Sequence, residues 1–224
     1  MLGFQNLQPL LFFLMFTAGI IGLALWLAVT QARKATANLQ ALAQRLGLVY
    51  GEKKSAGLVT THTVTGLQAE REVSFHNFTT GSGKSRTTWR AVSMRPKTAG
   101  SLTFCFHRQG LASKIEALFG AKEAVVGDAA FDAAWFLQTN DPEFIRAALV
   151  PEVRAKLMAA QAAQTAGGAG GTFKLENGLV RYAEIGSFSD APACTRLEQM
   201  LPVLHDLADI AEVAAEREPP RGRA

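Results

Sequence analysis

Near its N-terminus the chain has a long apolar stretch, "LQPLLFFLMFTAGIIGLALWLAV", which covers residues 7–29. Residues 1–32 carry no charged side chain at all. The part that follows Pro9 is long enough for about 30 Å of α-helix, which is the thickness of the hydrocarbon core of a bilayer. The sequence therefore predicts a transmembrane anchor within residues 1–32.

A cleaved signal peptide is the alternative interpretation of this stretch. Signal peptides begin with a basic segment, carry a shorter apolar run and end at a small-residue cleavage site. Here the first residues, "MLGFQNLQ", are uncharged and the apolar run is long. Both properties favour an anchor that is retained in the membrane.

Basic residues flank only one end of the apolar stretch. None precedes it, whereas Arg33 and Lys34 follow at once and Arg45, Lys53 and Lys54 come soon after. Because cytoplasmic flanks of spans are enriched in Lys and Arg, this asymmetry predicts an N-terminus outside and a cytoplasmic C-terminal domain. The expected location is the inner (cytoplasmic) membrane, with a single pass.

Charge and cysteine content exclude several classes of function. The net charge of +4 is mild and does not suggest a nucleic-acid-binding domain, which usually has a denser basic face and stacking aromatics. Cys105 and Cys194 form no Cys-x-x-Cys pair, and in a reducing cytoplasm we expect free thiols. The four histidines lie far apart in sequence, so we predict neither a metal site nor a cofactor.

The chain after the anchor predicts an α+β fold, an antiparallel sheet packed with helices. An amphipathic helix over residues 33–47 links it to the anchor, with Gly47 as its end. Alternating apolar residues predict strands in residues 67–75, 86–96 and 101–108, joined as a meander with one buried face. A further strand is expected before them, in "GLVTTHTVTG".

The second half of the chain predicts mainly helices and one hairpin. The expected elements are a helix over residues 110–120, a strand over residues 131–139, a helix capped by Asp141, a helix opened by Pro151, a flexible connection "TAGGAGGT", a hairpin at Asn177-Gly178, and a closing helix from about Ala193 to Arg217 bent by Pro202. The domains are then residues 1–32 (anchor), 33–47 (linking helix), 48–217 (cytoplasmic α+β domain) and 218–224 (disordered tail).

Two motifs have the appearance of active sites. "GSGKS" at residues 81–85 resembles the end of a phosphate-binding loop, but Phe78 stands where that loop needs a glycine, and strand-like sequence follows it. We interpret it as a hairpin turn. Asp128 and Asp132 could form a carboxylate pair, but aspartates at turns and strand edges usually bind local backbone N–H groups. We therefore expect no catalytic residues here.

The segment "GDAAFDAAWFLQTNDPEFIRAALVPEVRAKL" (residues 127–157), together with "LAQRLGL" (residues 42–48), resembles the DUF3137-type bacterial membrane-anchored domains of unknown function. In those domains a membrane segment, a helix and an antiparallel sheet precede this block. The resemblance covers about residues 40–160, and Trp135-Phe136 occupies the place of the usual final Phe. It implies an architecture and no catalytic residues.

One stretch predicts contact with another surface. "KSRTTWRAVSMRPK" (residues 84–97) has five basic residues, one tryptophan and no acid. Beneath an anionic leaflet each such charge would add about 1 kcal/mol of attraction. The candidate membrane or partner contacts are Lys84, Arg86, Trp89, Arg90, Arg95 and Lys97. A sheet edge guarded by charge is the structural alternative.

These features together predict a non-enzymatic, membrane-anchored cytoplasmic domain that acts by contact, as an accessory or scaffolding subunit of a membrane protein assembly. Its expected partners are membrane lipid and an integral membrane protein, and not nucleic acid. The alternative is an enzyme or small-ligand-binding domain whose site lies between the sheet and its helices without a sequence signature. A deep pocket lined by converging polar groups would favour that alternative.

Overall fold

A computed structural model describes residues 7–54, 60–108, 122–166 and 170–218. Within these ranges the helices are α1 (Leu7–Leu46), α2 (Ala129–Ala134), α3 (Pro142–Ala148), α4 (Pro151–Ala166), α5 (Ala191–Gln199) and α6 (Leu201–Arg217). The strands are β1 (Val49–Lys54), β2 (Thr60–Gln68), β3 (Arg71–Thr80), β4 (Thr87–Met94), β5 (Phe104–Arg108), β6 (Lys122–Glu123), β7 (Trp135–Thr139), β8 (Gly171–Glu176) and β9 (Leu179–Ile185). The predicted helix over residues 110–120 and the tail over residues 219–224 lie outside the described residues.

All the described strands form one sheet, in the order β1-β2-β3-β4-β9-β8-β5-β7-β6, and every neighbouring pair is antiparallel. Side chains of a strand alternate between the two faces of the sheet. One row of fully or almost fully buried side chains crosses the helix-covered face in register, namely Val64, Phe75, Val92, Tyr182, Phe173, Phe106 and Leu137. The predicted α+β fold is therefore confirmed.

Helix α1 joins the apolar stretch to the folded domain without a break. It is 40 residues long, about 60 Å. Its large apolar side chains from Phe12 to Val29 are exposed, whereas Leu39 and Leu42 are fully buried in the core. In length and apolar composition it is the one helix among the described residues that could cross a membrane. It ends at Gly47, whose φ of 65° turns the chain into β1.

Several local predictions are confirmed. Asp141 caps α3, because its side chain accepts a hydrogen bond from the Phe144 N–H at 3.0 Å. Pro151 opens α4. Asn177 and Gly178, with φ of 53° and 66°, form the turn between β8 and β9. Such positive φ values at both central residues define the hairpin turn that the Asn-Gly pair favours.

The strand predicted over residues 67–75 is wrong, because a turn divides it. Ala69 and Glu70 have φ of 46° and 65° and form the turn between β2 and β3. Leu67 therefore ends β2 and is exposed, while Val73 and Phe75 of β3 are buried as expected. An Ala-Glu pair carries no turn preference of the kind that Asn-Gly has, so the alternating pattern alone concealed this turn.

The predicted meander is confirmed for β3 and β4, which are antiparallel neighbours, and wrong for its third strand, β5. Strand β4 pairs with β9, and β5 lies between β8 and β7, so the hairpin β8–β9 is inserted between two strands that are close in sequence. Alternation identifies strands, but it does not specify which strand pairs with which. The "TAGGAGGT" connection is shorter than expected, because Gly171 already belongs to β8.

Two segments differ from their predicted secondary structure. Residues 131–134 are helical, because Asp128 accepts hydrogen bonds from the Ala130 and Phe131 N–H groups and caps α2. Only residues 135–139 of that segment form a strand, β7. The closing helix is divided at Met200 into α5 and α6, so Pro202 stands in the first turn of a new helix rather than bending a continuous one.

Candidate functional site

The five basic residues among the six predicted contact residues lie in three different environments. Lys84 and Arg86 are exposed in the connection between β3 and β4, which we call the hairpin tip (residues 81–86). Arg90 is buried. Arg95 and Lys97 are exposed beyond the other end of β4. Because strand β4 separates these environments, residues 84–97 do not form one continuous contact surface.

Arg90 is a structural residue, so the prediction that it contacts a membrane or a partner is wrong. Its side chain is 5% exposed, and its Nε donates a hydrogen bond to Oε1 of the fully buried Glu184 at 2.6 Å. Its Nη1 also donates to the Ser187 carbonyl at 2.9 Å. Arg196 binds the same Glu184 oxygen at 2.9 Å. This network joins β4, β9 and α5.

The sequence did contain a signal for the burial of Arg90. Along a strand every second residue faces the same side of the sheet, so Arg90 shares a face with Val92 and Met94, which are both fully buried. A charged side chain in that buried row needs a buried partner. Glu184 is this partner, because it lies on β9 directly opposite Arg90. The pairing of β4 with β9 was not predicted, so this partner was missed.

Tyr182 extends the buried network. Its hydroxyl donates to Oε2 of Glu184 at 3.0 Å. Burial, followed by the charge of Glu184, raises the pKa of Tyr182, so the phenol stays protonated. Its ring lies over Gly171, where an added Cβ would come within 2.2 Å of the hydroxyl oxygen. Gly171 is therefore needed for close packing.

Arg95 and Lys97 are neutralised by acidic neighbours. Nε of Arg95 lies 3.1 Å from Oε2 of Glu72, and Lys97 forms an ion pair with Glu70. The Lys97 ammonium lowers the pKa of Glu70 through this hydrogen bond. All four side chains are exposed, so these pairs contribute little to stability. Two of the five predicted basic contacts thus present little net charge.

The hairpin tip keeps its positive charge. Lys84 and Arg86 are exposed and have no ion-pair partner among the described residues. The tip folds as one short 3₁₀ turn, in which the Ser85 N–H donates to the Ser82 carbonyl at 3.2 Å. Gly81 has φ of 76°, and a Cβ there would lie 2.4 Å from the Ser85 carbonyl oxygen. The sequence prediction of a hairpin turn at "GSGKS" is confirmed.

Contacts of α1 show which end of the sheet carries the tip. Asn38 donates to the Phe188 carbonyl at 2.8 Å, and the neighbouring Gly186 N–H donates to the Thr88 carbonyl at 3.0 Å. Asn38 is therefore level with the start of β4. At the other end of the sheet, Leu48 packs against Gly66. Since Gly66 is in register with Val73 and Met94, the C-terminal end of α1 is level with the end of β4.

The tip therefore points toward the apolar part of α1. From Thr88 back to Lys84 an extended chain spans at most about 13 Å. The same rise along an α-helix corresponds to about nine residues, from Asn38 back to Val29. Arg33 and Lys34, which are exposed, lie within this interval. The basic tip thus comes at most to the level at which the uncharged segment of α1 ends.

An aromatic pair lies next to the tip on the helix-free face of the sheet. The rings of Phe78 and Trp89 stack at 6.2 Å with an angle of 9°. Nε1 of Trp89 donates to Oγ1 of Thr80 at 2.7 Å. Trp89 is half-buried, and its register partner Ile185 is exposed. This end of the sheet therefore has apolar as well as basic exposed surface.

Catalytic groupings are not found among the residues that the structure describes. Groups of three or more His, Cys, Asp or Glu side chains that could hold a metal ion are absent there. Asp132 accepts hydrogen bonds from the Val126 and Gly127 N–H groups at 2.9 and 3.0 Å, and Asp128 caps α2. Cys105 and Cys194 are buried free thiols, and burial raises the pKa of each to about 11. Neither thiol is poised for reaction.

One cavity lies between α3 and the end of α6, with a volume of about 310 Å³. Its polar lining already serves local structure. Asp141 caps α3, Asn140 binds the Thr103 N–H at 2.8 Å, and the Glu218 carboxylate accepts from the Ser101 hydroxyl at 2.7 Å. The Arg217 guanidinium stacks on the Phe144 ring. The cavity thus offers few free polar groups to a ligand.

Comparison with family models, with curated proteins and with solved structures found no match. The function has to be argued from the geometry of this chain. The resemblance to the DUF3137-type domains stays a prediction.

Proposed function

We propose that this protein is a membrane-anchored, non-enzymatic domain that acts by contact, as an accessory or scaffolding subunit of a membrane protein assembly. The apolar segment of α1 is the anchor, in the inner membrane. The domain lies on the cytoplasmic side, and its partners are the lipid surface and an integral membrane protein. The observation that carries the proposal is the single helix that runs from exposed apolar residues into the core.

The continuity of α1 supports a role in positioning. Leu39, Leu42 and Ala43 belong to the hydrophobic core, and the same helix extends to Phe12. A helix without a break transmits orientation, whereas a flexible linker would let the domain tumble. An anchor built in this way holds one end of the sheet toward the bilayer. Such an arrangement suits a domain that presents a fixed surface to neighbouring proteins.

The charge distribution supports the orientation. Arg33 and Lys34 flank the apolar segment on the domain side, and the hairpin tip, with Lys84 and Arg86, points toward the same flank. Lys and Arg near a span are retained on the cytoplasmic side. The fold therefore turns basic residues that are distant in sequence toward the basic flank that follows the apolar segment.

The first test is the topology of the chain. A reporter that is active only outside the cytoplasm, fused after Ala224, should be silent, while a reporter that is active only in the cytoplasm should give a signal. The matched control replaces Arg33 and Lys34 by Gln, which should weaken the orientation preference. A strong external signal from the unmodified chain would overturn the proposed orientation.

The second test concerns the partner. The full chain is extracted in mild detergent, and the integral membrane proteins that co-purify with it are identified. A chimaera whose residues 7–29 are replaced by an unrelated span serves as the control. A partner that binds the domain should be retained by the chimaera and should in turn capture this chain when it is used as bait. Absence of any reciprocal partner would contradict the role as a subunit.

A further inference from the structure

We infer that the hairpin tip binds the anionic lipid headgroups of the membrane in which α1 is anchored, through Lys84 and Arg86. This inference rests on the proposed function, because it requires the apolar segment of α1 to lie in a bilayer. The proposed ligand of the hairpin tip is lipid phosphate, and not a protein surface.

The reach of the tip is the first argument. The span is expected to leave the hydrocarbon core near Val29, and the first charged residue is Arg33. Measured from the contacts of Asn38 with Phe188 and of Gly186 with Thr88, the tip reaches at most the level of these residues. A headgroup layer several ångströms thick covers each side of the hydrocarbon core. Lys84 and Arg86 can therefore reach the phosphates when the domain tilts toward the leaflet.

The composition of the tip is the second argument. Its sequence, "GSGKSR", contains two cations, small residues and no acid. A protein-binding surface usually has an apolar or aromatic centre; residues 81–86 contain no such side chain, and the pair of Phe78 and Trp89 lies beside them on the helix-free face. Exposed cations beside small residues are instead suited to the surface of a membrane, where many phosphate groups each bind weakly. Lys53 and Lys54, at which β1 ends, are placed at the same end of the sheet by their register with Thr61 and Thr60.

The energetic requirement is small because α1 already holds the domain at the membrane. The tip does not have to recruit the protein and only has to bias its tilt. Each basic residue close to an anionic leaflet shifts the equilibrium between the tip-free and the tip-bound orientation of the domain about fivefold. Two charges thus favour the tip-bound orientation by a factor of about 25. This attraction extends over about one Debye length, about 8 Å at physiological salt.

A quenching experiment on the full chain in lipid nanodiscs tests the inference. A fluorophore is attached at Ser85→Cys in the tip or at Thr98→Cys beyond the far end of β4. Both positions are exposed, whereas the native cysteines are buried and unreactive. Spin-labelled headgroups quench a fluorophore that touches them. The discs contain either phosphatidylcholine alone or phosphatidylcholine with phosphatidylglycerol.

We expect strong quenching at Ser85→Cys only in discs with phosphatidylglycerol, and no quenching at Thr98→Cys in either disc. Lys84→Gln/Arg86→Gln should remove the difference between the two lipids. The matched control, Arg95→Gln/Lys97→Gln, removes the same number of positive charges beyond the far end of β4. It should leave the difference in quenching between the two lipids unchanged. Raising the salt concentration should reduce the quenching.

The outcomes separate this inference from the proposed function. If the chain is retained in carbonate-washed membranes but the tip probe responds equally to both lipids, only the lipid contact is overturned. The same conclusion follows if Lys84→Gln/Arg86→Gln has no effect. If the chain is not retained in membranes, the proposed anchor fails, and the inference fails with it.

Discussion

Replacement of Arg90 by Gln should destabilise the fold far more than replacement of any other basic residue in the 84–97 stretch. Arg90 is 5% exposed, and it makes hydrogen bonds to Glu184 and Ser187. Gln is shorter and uncharged, so Glu184 would lose its shortest ion pair while remaining fully buried. Removal of one partner from a buried ion pair typically costs 3–5 kcal/mol.

The structure places the expected cost at the low end of that range. Arg196 also binds Glu184, at 2.9 Å, and Tyr182 donates a hydrogen bond to it. Glu184 would therefore keep one cation and one donor after the substitution. We expect a loss of about 3 kcal/mol in the free energy of unfolding. In a chain of this size that corresponds to a decrease of about 6–12 °C in Tm.

The assay is thermal unfolding of the full chain in detergent, followed by circular dichroism, with Arg86→Gln as the matched control. Arg86 is exposed at the tip, so its replacement should change the free energy of unfolding by less than about 0.5 kcal/mol. Arg95→Gln should cost at most about 1 kcal/mol, because its partner Glu72 is exposed. Equal Tm values for Arg90→Gln and Arg86→Gln would show that the buried ion pair of Arg90 with Glu184 does not stabilise the fold.

Three further predictions concern the same domain. Gly171→Ala should cost about 1–3 kcal/mol, because the added Cβ would collide with the buried Tyr182 ring, and a lowered Tm would show it. Burial lowers the pKa of His76 below its ordinary value of 6.5, so the unfolded chain binds more protons than the folded chain near that pH. The free energy of unfolding should therefore fall as the pH drops through about 6.5, and His76→Gln should show a smaller fall in Tm over this pH range than the unmodified chain. Cys105 and Cys194 should resist a thiol reagent at neutral pH and react once the chain is denatured, because burial raises both pKa values to about 11; rapid labelling of the native chain would contradict their burial.

Local signals in the sequence predicted local structure well. The cap at Asp141, the turn at Asn177-Gly178 and the helix end at Gly47 each depend on one or two residues with a strong conformational preference. The turn at Ala69-Glu70 has no such residue and was missed. Secondary structure in this chain was therefore predictable where the residue type itself restricts φ and ψ.

The candidate site was only partly predictable, because it depends on long-range pairing. Basic composition identified residues 84–97, but charge alone does not distinguish an exposed arginine from one that meets a buried carboxylate. Arg90 became recognisable as structural only when β9 was placed beside β4 and Glu184 opposite it. Likewise, the direction in which the tip points relative to the apolar segment follows from the contact of Asn38 with Phe188, which are far apart in sequence.

The membrane anchor and the lipid contact both require that the apolar segment of α1 is retained, so the N-terminal region of the membrane-bound protein is the quantity to identify. The full chain is expressed, membranes are washed with carbonate, and the retained protein is analysed by mass spectrometry for peptides that cover residues 7–46. We predict that these peptides are present and that the domain stays in the washed membranes. A soluble domain that begins after the apolar segment would identify that segment as a cleaved signal sequence and contradict the proposed membrane anchor.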